Sequence, residues 1–256
     1  MSRLASAFAS ARRPALVGYV MAGDPDTTRH LEYARAVLRE ADVLEIGVPF
    51  SDPVADGPTI ERAAVRAIQR GAKLADALAL ARALRAESDK PLVLMTYYNP
   101  VHRYGLERFA RDAAAAGVDG VILPDVPLEE SERPGAELAK VGIDLVQLAS
   151  PATPPERLAR LAKATRGFLY LVSMYGVTGA RKDLPPETLD LVRRTKAACA
   201  GVTPFAVGFG VSEPSHVATL RDAGADGVVV GSAIVGRIEK GEPPDAVAAY
   251  VRSLRG

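Results

Sequence analysis

Ala116-Gly117-Val118-Asp119-Gly120-Val121 returns almost unchanged as Ala223-Gly224-Ala225-Asp226-Gly227-Val228, with Val141-Gly142-Ile143-Asp144 as a weaker copy. In each, a helical stretch stops on a glycine suited to a left-handed C-terminal cap, and an aspartate precedes an apolar run. Repeated helix–Gly–Asp–strand units predict a repeating α/β architecture. Short apolar runs extend the pattern over the chain: Ala15–Val20, Asp42–Ile46, Leu92–Thr96, Gly120–Leu123, Asp144–Leu148, Phe168–Val172, Phe205–Gly208 and Gly227–Val230. Most are continuous rather than alternating, as parallel strands covered on both faces should be. Between them lie Ala-, Leu-, Arg- and Glu-rich segments of helical period, among them Thr28–Arg39, Leu74–Ala86, Leu106–Ala115, Pro155–Ala164 and Glu187–Ala198.

Eight strands alternating with helices over 256 residues predict a (β/α)8 TIM barrel occupying 1–256 as one domain. A short N-terminal helix and an extra short helix after strand eight complete the expectation. A doubly wound open sheet is the alternative, but no G-x-G-x-x-G opens a helix after the first strand.

The composition is that of a globular protein: 48% hydrophobic, 25% charged, Lys+Arg 32 against Asp+Glu 31. Near-zero net charge gives no support to a nucleic-acid groove or a membrane-surface partner. One cysteine makes no intrachain disulfide, and there is no signal-length apolar run at the N-terminus and no membrane-spanning run. A cytoplasmic protein is expected.

Chemistry in such a barrel belongs at the C-terminal ends of the strands. There, Leu44-Glu45-Ile46-Gly47-Val48-Pro49-Phe50-Ser51-Asp52-Pro53-Val54-Ala55-Asp56-Gly57-Pro58 places one carboxylate on a buried strand and others on the loop that leaves it. A buried charge costs several kcal/mol unless paired, solvated or neutralised. Glu45 and Asp56 therefore read as a two-carboxylate acid–base site. The ordinary alternatives are an interior arginine paired with Glu45, and for Asp56 a plain turn ahead of a helix with Pro58 in its first position. Phe205-Ala206-Val207-Gly208-Phe209-Gly210-Val211-Ser212 and Gly227-Val228-Val229-Val230-Gly231-Ser232-Ala233-Ile234-Val235 leave strands seven and eight. Glycine lets backbone N–H groups approach an anion, and a helix opening at Ser232 adds a favourable dipole. This is the recurrent phosphate site of the fold, with Gly210, Gly231 and Ser232 as its candidates; glycines serving tight turns alone are the plainer reading.

After strand six, Ser173–Pro185 is long, polar and Gly-punctuated, suited either to a closing lid or to a flexible connector. Tyr170 reads first as core. His30, His102 and His216 make no metal motif, Cys199 stands alone on an Ala-rich helix, and no lysine falls within a strand to serve as a Schiff base. What remains is carboxylate acid–base chemistry on a phosphorylated small molecule.

The strand-two stretch closely resembles the signature of the tryptophan synthase alpha-subunit family. Gly23-Asp24-Pro25, Tyr97-Tyr98-Asn99-Pro100, Pro124-Asp125-Val126-Pro127, Gly176-Val177-Thr178-Gly179, Gly208-Phe209-Gly210 and Gly231-Ser232 follow in the family's order, so the resemblance covers essentially the whole chain. It implies a metal-free retro-aldol cleavage of indole-3-glycerol phosphate to indole and glyceraldehyde 3-phosphate. By motif, Glu45 matches the acid–base glutamate, Asp56 the aspartate near the indole N–H, and Tyr170 a tyrosine lining the site. Gly179, Gly210, Gly231 and Ser232 match phosphate-binding positions. Tyr19 stands where many members carry Phe in the indole pocket, and Met174-Tyr175 varies within the lid. The resemblance further implies no cofactor in this chain and a heterotetramer with a beta subunit that holds pyridoxal phosphate. Asp125-Val126-Pro127 and the Asp56 loop would face or couple to that partner. Two rivals are another phosphate-binding barrel enzyme, acting on a ribulose- or phosphoribosyl-linked substrate, and a catalytically silent barrel kept to regulate a partner.

Overall fold

The computed structural model describes residues 2–11, 14–172, 184–199, 201, 203–208 and 210–256. Strands β1 (Ala15–Met21), β2 (Val43–Gly47), β3 (Leu92–Met95), β4 (Gly120–Ile122), β5 (Asp144–Ala149), β6 (Leu169–Val172), β7 (Phe205–Gly208) and β8 (Gly227–Val230) pair in parallel in chain order, and β8 closes onto β1. Around them run α1 (Arg3–Ser10), α2 (His30–Glu40), α3 (Pro58–Gln69), α4 (Leu74–Arg85), α5 (Tyr98–Tyr104) and α6 (Leu106–Ala115). The circuit continues with α7 (Glu132–Lys140), α8 (Pro155–Ala164), α9 (Pro186–Cys199), α10 (Pro214–Ala223), α11 (Ser232–Glu239) and α12 (Pro244–Ser253). The expected barrel is present, including the short helix before β1 and the one after β8. Boundaries move by a residue or two: β1 runs on to Met21, and β6 begins at Leu169 rather than Phe168.

The continuous apolar runs have a simple cause. Along β1, Ala15, Val17, Tyr19 and Met21 join a cluster that fills the barrel with Val43, Val93, Met95, Ile122, Val146, Phe168, Tyr170, Ala206 and Val229. The intervening residues Leu16 and Val20, with Leu44, Ile46, Leu94, Leu171 and Val230, pack outward under the helices. Each face of each strand is covered, so neither can be polar. Every strand carries a hidden alternation that apolarity alone does not reveal.

The base of the barrel is stoppered by α1. Leu4 and Phe8 are fully buried, and Phe8 stacks on Phe168 with ring centroids 4.9 Å apart. A Cβ on Gly227 would lie 2.6 Å from the Phe8 ring, so this start of β8 has to be glycine. Aspartates that stand just before a strand, two of them from the repeat, work at the same end. Asp42 accepts the Leu16 N–H at 2.8 Å, Asp119 the Leu92 N–H at 2.9 Å, and Asp226 the Phe205 N–H at 3.3 Å. In each case the residue before one strand ties down the opening of the strand before it. The repeat glycines also behave as read: Gly224 caps α10 in the left-handed region, and Gly117 and Gly142 have φ of 80° and 78°.

Candidate active site

The β1–β2 register sets Tyr19 and Glu45 side by side, and both side chains point inward at the C-terminal end of the barrel. They line a solvent-open cleft of about 500 Å³ together with Tyr170, Met95, Ile60, Asp56, Gly210, Gly231 and Ser232. The side chains that sequence reading singled out on β1, β2, β6 and the loops after β2, β7 and β8 thus converge on one cavity. Gly179, and with it 173–183 of the suggested lid, lies outside the described residues.

Glu45 is 1% exposed, and neither carboxylate oxygen has a hydrogen-bond partner among the described residues. No arginine among the described residues pairs with it. Burial, helped by the nearby charge of Asp56, raises its pKa to about 8. The group is neutral at pH 7, which makes its position inside the barrel tolerable.

Asp56 sits half-buried on the loop between β2 and α3. Gly57 is the N-cap of α3 and Pro58 its first residue, with no side-chain cap bond, so the turn is made by Gly57-Pro58 and leaves the Asp56 carboxylate free for the cleft. Burial raises its pKa to about 6, a hydrogen bond from the Tyr97 hydroxyl works the other way, and Glu61 adds a smaller upward push. Two carboxyls in one cleft thus hold different protonation states near neutrality.

Tyr97, in the run Tyr97-Tyr98-Asn99-Pro100 after β3, is a side chain at the site that sequence reading did not pick out singly. Its hydroxyl meets Asp56 and also accepts the Ala55 N–H at 3.1 Å, while its ring packs 5.1 Å from Phe50. It ties the Asp56 carboxylate to the backbone just before it. Tyr19 and Tyr170 are buried and their phenols are held well above their ordinary pKa by burial, so both stay protonated. Their hydroxyl ends occupy the space where a Cβ on Gly47 or Gly208 would be, so those strand-end glycines make room for two pocket tyrosines.

On the opposite wall, Gly231 is the N-cap of α11 and no side chain caps the helix; its carbonyl accepts the Ile234 and Val235 N–H groups at 2.9 and 3.0 Å, which leaves those of Ser232 and Ala233 without an acceptor in the helix. Gly210 adopts φ 81°, open to non-glycine residues only with strain, and nothing crowds it within 4 Å. The β7 loop is anchored behind this wall: the Ser212 N–H donates to His216 Nδ1 at 3.3 Å, and the Tyr250 hydroxyl donates to the Ser212 carbonyl at 3.0 Å. Facing glycine-lined backbone, a helix N-terminus and Ser232 form a cradle fit for a phosphate. Among the described residues, no group of three or more His, Cys, Asp or Glu side chains is placed to hold a metal ion, and no helix is long and apolar enough to cross a membrane. Cys199 is buried, and burial pushes its thiol up to about 11.

The family profile described as tryptophan synthase alpha chain matches residues 5–254. The tryptophan synthase alpha chain of Methanoregula boonei is 46% identical over 254 residues, covering 98% of this chain and 95% of that one. A solved chain of the tryptophan synthase α2β2 complex of Pyrococcus furiosus superposes with a TM-score of 0.87 at 43% identity, covering 94% of this chain and 96% of that one. A solved chain from Aquifex aeolicus reaches a TM-score of 0.90 at 38% identity, with 99% and 98% covered.

Proposed function

The chain belongs to the tryptophan synthase alpha-chain family, and on that premise we propose that its cleft cleaves indole-3-glycerol phosphate into indole and glyceraldehyde 3-phosphate. The observation that carries this reading is the pairing of an unpartnered, neutral Glu45 with an ionised Asp56 across a cavity that ends in an anion cradle. Breaking the bond between indole C3 and the side chain needs a proton at C3, which leaves positive charge on the ring nitrogen. The Asp56 carboxylate, oriented by Tyr97, stabilises that charge as it develops. Glu45 enters protonated and gives its proton to C3. The electron pair of the breaking bond returns to the ring, and the side-chain hydroxyl becomes the aldehyde as its proton passes to the Glu45 carboxylate. The proton lent is the proton returned, so the cycle closes without a redox partner.

The cradle of Gly210, Gly231 and Ser232, with Gly179 assigned by motif, holds the phosphate and fixes the glycerol end. Orientation then contributes to rate without further chemistry. Tyr19 and Tyr170 wall the indole ring. None of these steps calls on a cofactor in this chain; pyridoxal phosphate belongs to the beta partner, which consumes the indole. The partner docks over the strand C-termini, where Val54 at the tip of the Asp56 loop is an exposed aliphatic side chain at 78% and Asp125 caps α5 through the Tyr98 N–H at 3.0 Å. The setting is cytoplasmic, and one barrel domain accounts for the chain.

Indole release from indole-3-glycerol phosphate tests the reading. Glu45→Gln keeps shape but removes proton transfer, and a loss of at least ~10²–10⁴ in kcat is expected, with Asp56→Asn also severely slowed. A Glu45→Gln chain retaining more than about a tenth of the wild-type rate would exclude the acid–base role.

A further inference from the structure

Both walls of the cleft are the N-terminal ends of helices, and the two helices are tied together at their far ends. α3 starts two residues beyond Asp56, α11 starts at Ser232, and they pack against each other and against β1. From Pro58 to Arg66, and from Ser232 to Glu239, each helix extends roughly 10–12 Å away from the cleft at 1.5 Å per residue. At that depth Arg66 forks. Its Nε and Nη2 donate to the two carboxylate oxygens of Asp24 at 2.8 and 3.0 Å, and its Nη1 donates to Glu239 at 2.7 Å. Arg62, one turn earlier, grips both oxygens of Glu239 at 2.8 and 2.9 Å.

Two features single this brace out from ordinary surface pairing. The Asp24 side chain is 1% exposed and that of Arg66 is 25% exposed, so the pair is shielded and geometrically fixed. Glu239 also stands in the last turn of α11, where the helix dipole disfavours an acid. The two guanidinium groups of α3 offset that cost and hold its carboxyl down at about 2. The β1 loop is pressed onto the same end of α3, because a Cβ on Gly23 would overlap Ala72. Three elements therefore meet on one arginine.

We propose that Arg66 is a positioning residue for the cleavage: its fork between Asp24 of the β1 loop and Glu239 of α11 sets the separation of the Asp56 carboxylate from the Gly231–Ser232 cradle. The inference rests on the roles assigned above to Asp56 and Ser232. A tilt of only ~5° at the brace moves a helix end by ~1 Å, and a misplacement of that size costs as much as ~10²-fold in rate. The brace touches neither substrate nor reacting atoms. It acts by keeping the two ends of the substrate in register with the two ends of the site.

The test compares full-length Arg66→Ala, Arg66→Lys and wild type with Arg85→Ala, which removes an ion pair to Asp119 at the opposite end of the barrel. Indole-3-glycerol phosphate turnover and the Kd for glycerol phosphate are measured well below the unfolding temperature. Arg66→Ala should lose ~10–100-fold in kcat and bind glycerol phosphate several-fold more weakly, with Arg66→Lys between it and wild type because an ammonium cannot span both acids. Arg85→Ala should lower Tm and leave both constants within about twofold, as loss of stability alone does. Should Arg66→Ala fail to fold, Glu239→Gln cuts only the α11 arm and should still weaken glycerol phosphate binding. Arg66→Ala or, in its place, Glu239→Gln with a lowered Tm and unchanged kcat and Kd would overturn the proposal. Absence of indole release by wild type would instead overturn the functional reading beneath it.

Discussion

The two ends of this barrel handle buried carboxylates in opposite ways. At the base, Asp42, Asp119 and Asp226 each accept a backbone N–H from the neighbouring strand, and Asp119 is flanked by Arg3 and Arg85 as well. At the mouth, Glu45 is more deeply buried than any of them and accepts no hydrogen bond from the described residues. The base uses charge to hold strands in register. The mouth keeps an acid neutral and unsatisfied, which costs stability and leaves a proton available for chemistry. A carboxylate's environment, rather than its depth, separates the structural ones from the one proposed to react.

The contrast can be broken by substitution at either end. The largest stability effect is expected at the base: Asp119→Ala removes the ion pairs to Arg3 and Arg85 and leaves the Leu92 N–H without its side-chain acceptor, a loss of about 2–4 kcal/mol. Urea unfolding should show that loss while kcat at 25 °C stays near wild type; a large fall in kcat with unchanged stability would reverse the assignment of roles.

Glu45→Gln should do the opposite. Folded Glu45 titrates at about 8 against an ordinary 4.5, so between those values the folded chain holds a proton that the unfolded chain has released. Stability therefore falls as pH rises through that window. The amide removes this penalty, giving about 1–3 kcal/mol of extra stability at pH 9 and almost none at pH 4. Parallel stability–pH curves for wild type and Glu45→Gln would show that Glu45 is not a buried, raised acid.

The smallest effect belongs to Tyr19→Phe. Among the described residues the hydroxyl's hydrogen-bond partner is Met21 Sδ at 3.9 Å, a weak contact, so its loss should change turnover and stability by under about 1 kcal/mol. A larger fall in kcat would place that hydroxyl in the proton path and make the mouth a three-group site.

These differences mark what a sequence can carry. The strands were readable because both of their faces are buried, and the Gly–Asp repeat was readable as punctuation. Its purpose was not: the bond from Asp119 to Leu92 depends on β3 and β4 lying side by side. Glu45 was conspicuous because a charge interrupts an apolar run. Tyr97 was not, since its reach to Asp56 depends on how the β2 loop folds back over β3, and tyrosines near strand ends are common. The Arg66 brace was equally hidden, because Asp24, Arg66 and Glu239 are ordinary surface-type residues until three distant segments meet.

Barrel closure itself bears on how the chain acquires its structure. The seam pairs Ala15–Gly18 with Gly227–Val230, and the Phe8 stopper rests on Gly227. During ribosomal synthesis β1 emerges well before β8, its second neighbour. Until then β1 is an open strand edge, and its final pairing must overcome a long-loop closure entropy. Such non-local pairing is slow, and partly built intermediates expose apolar strand faces. A translational stall or truncation before Gly227 would therefore leave β1 free to pair with another nascent copy, making aggregation the characteristic failure of an unfinished chain.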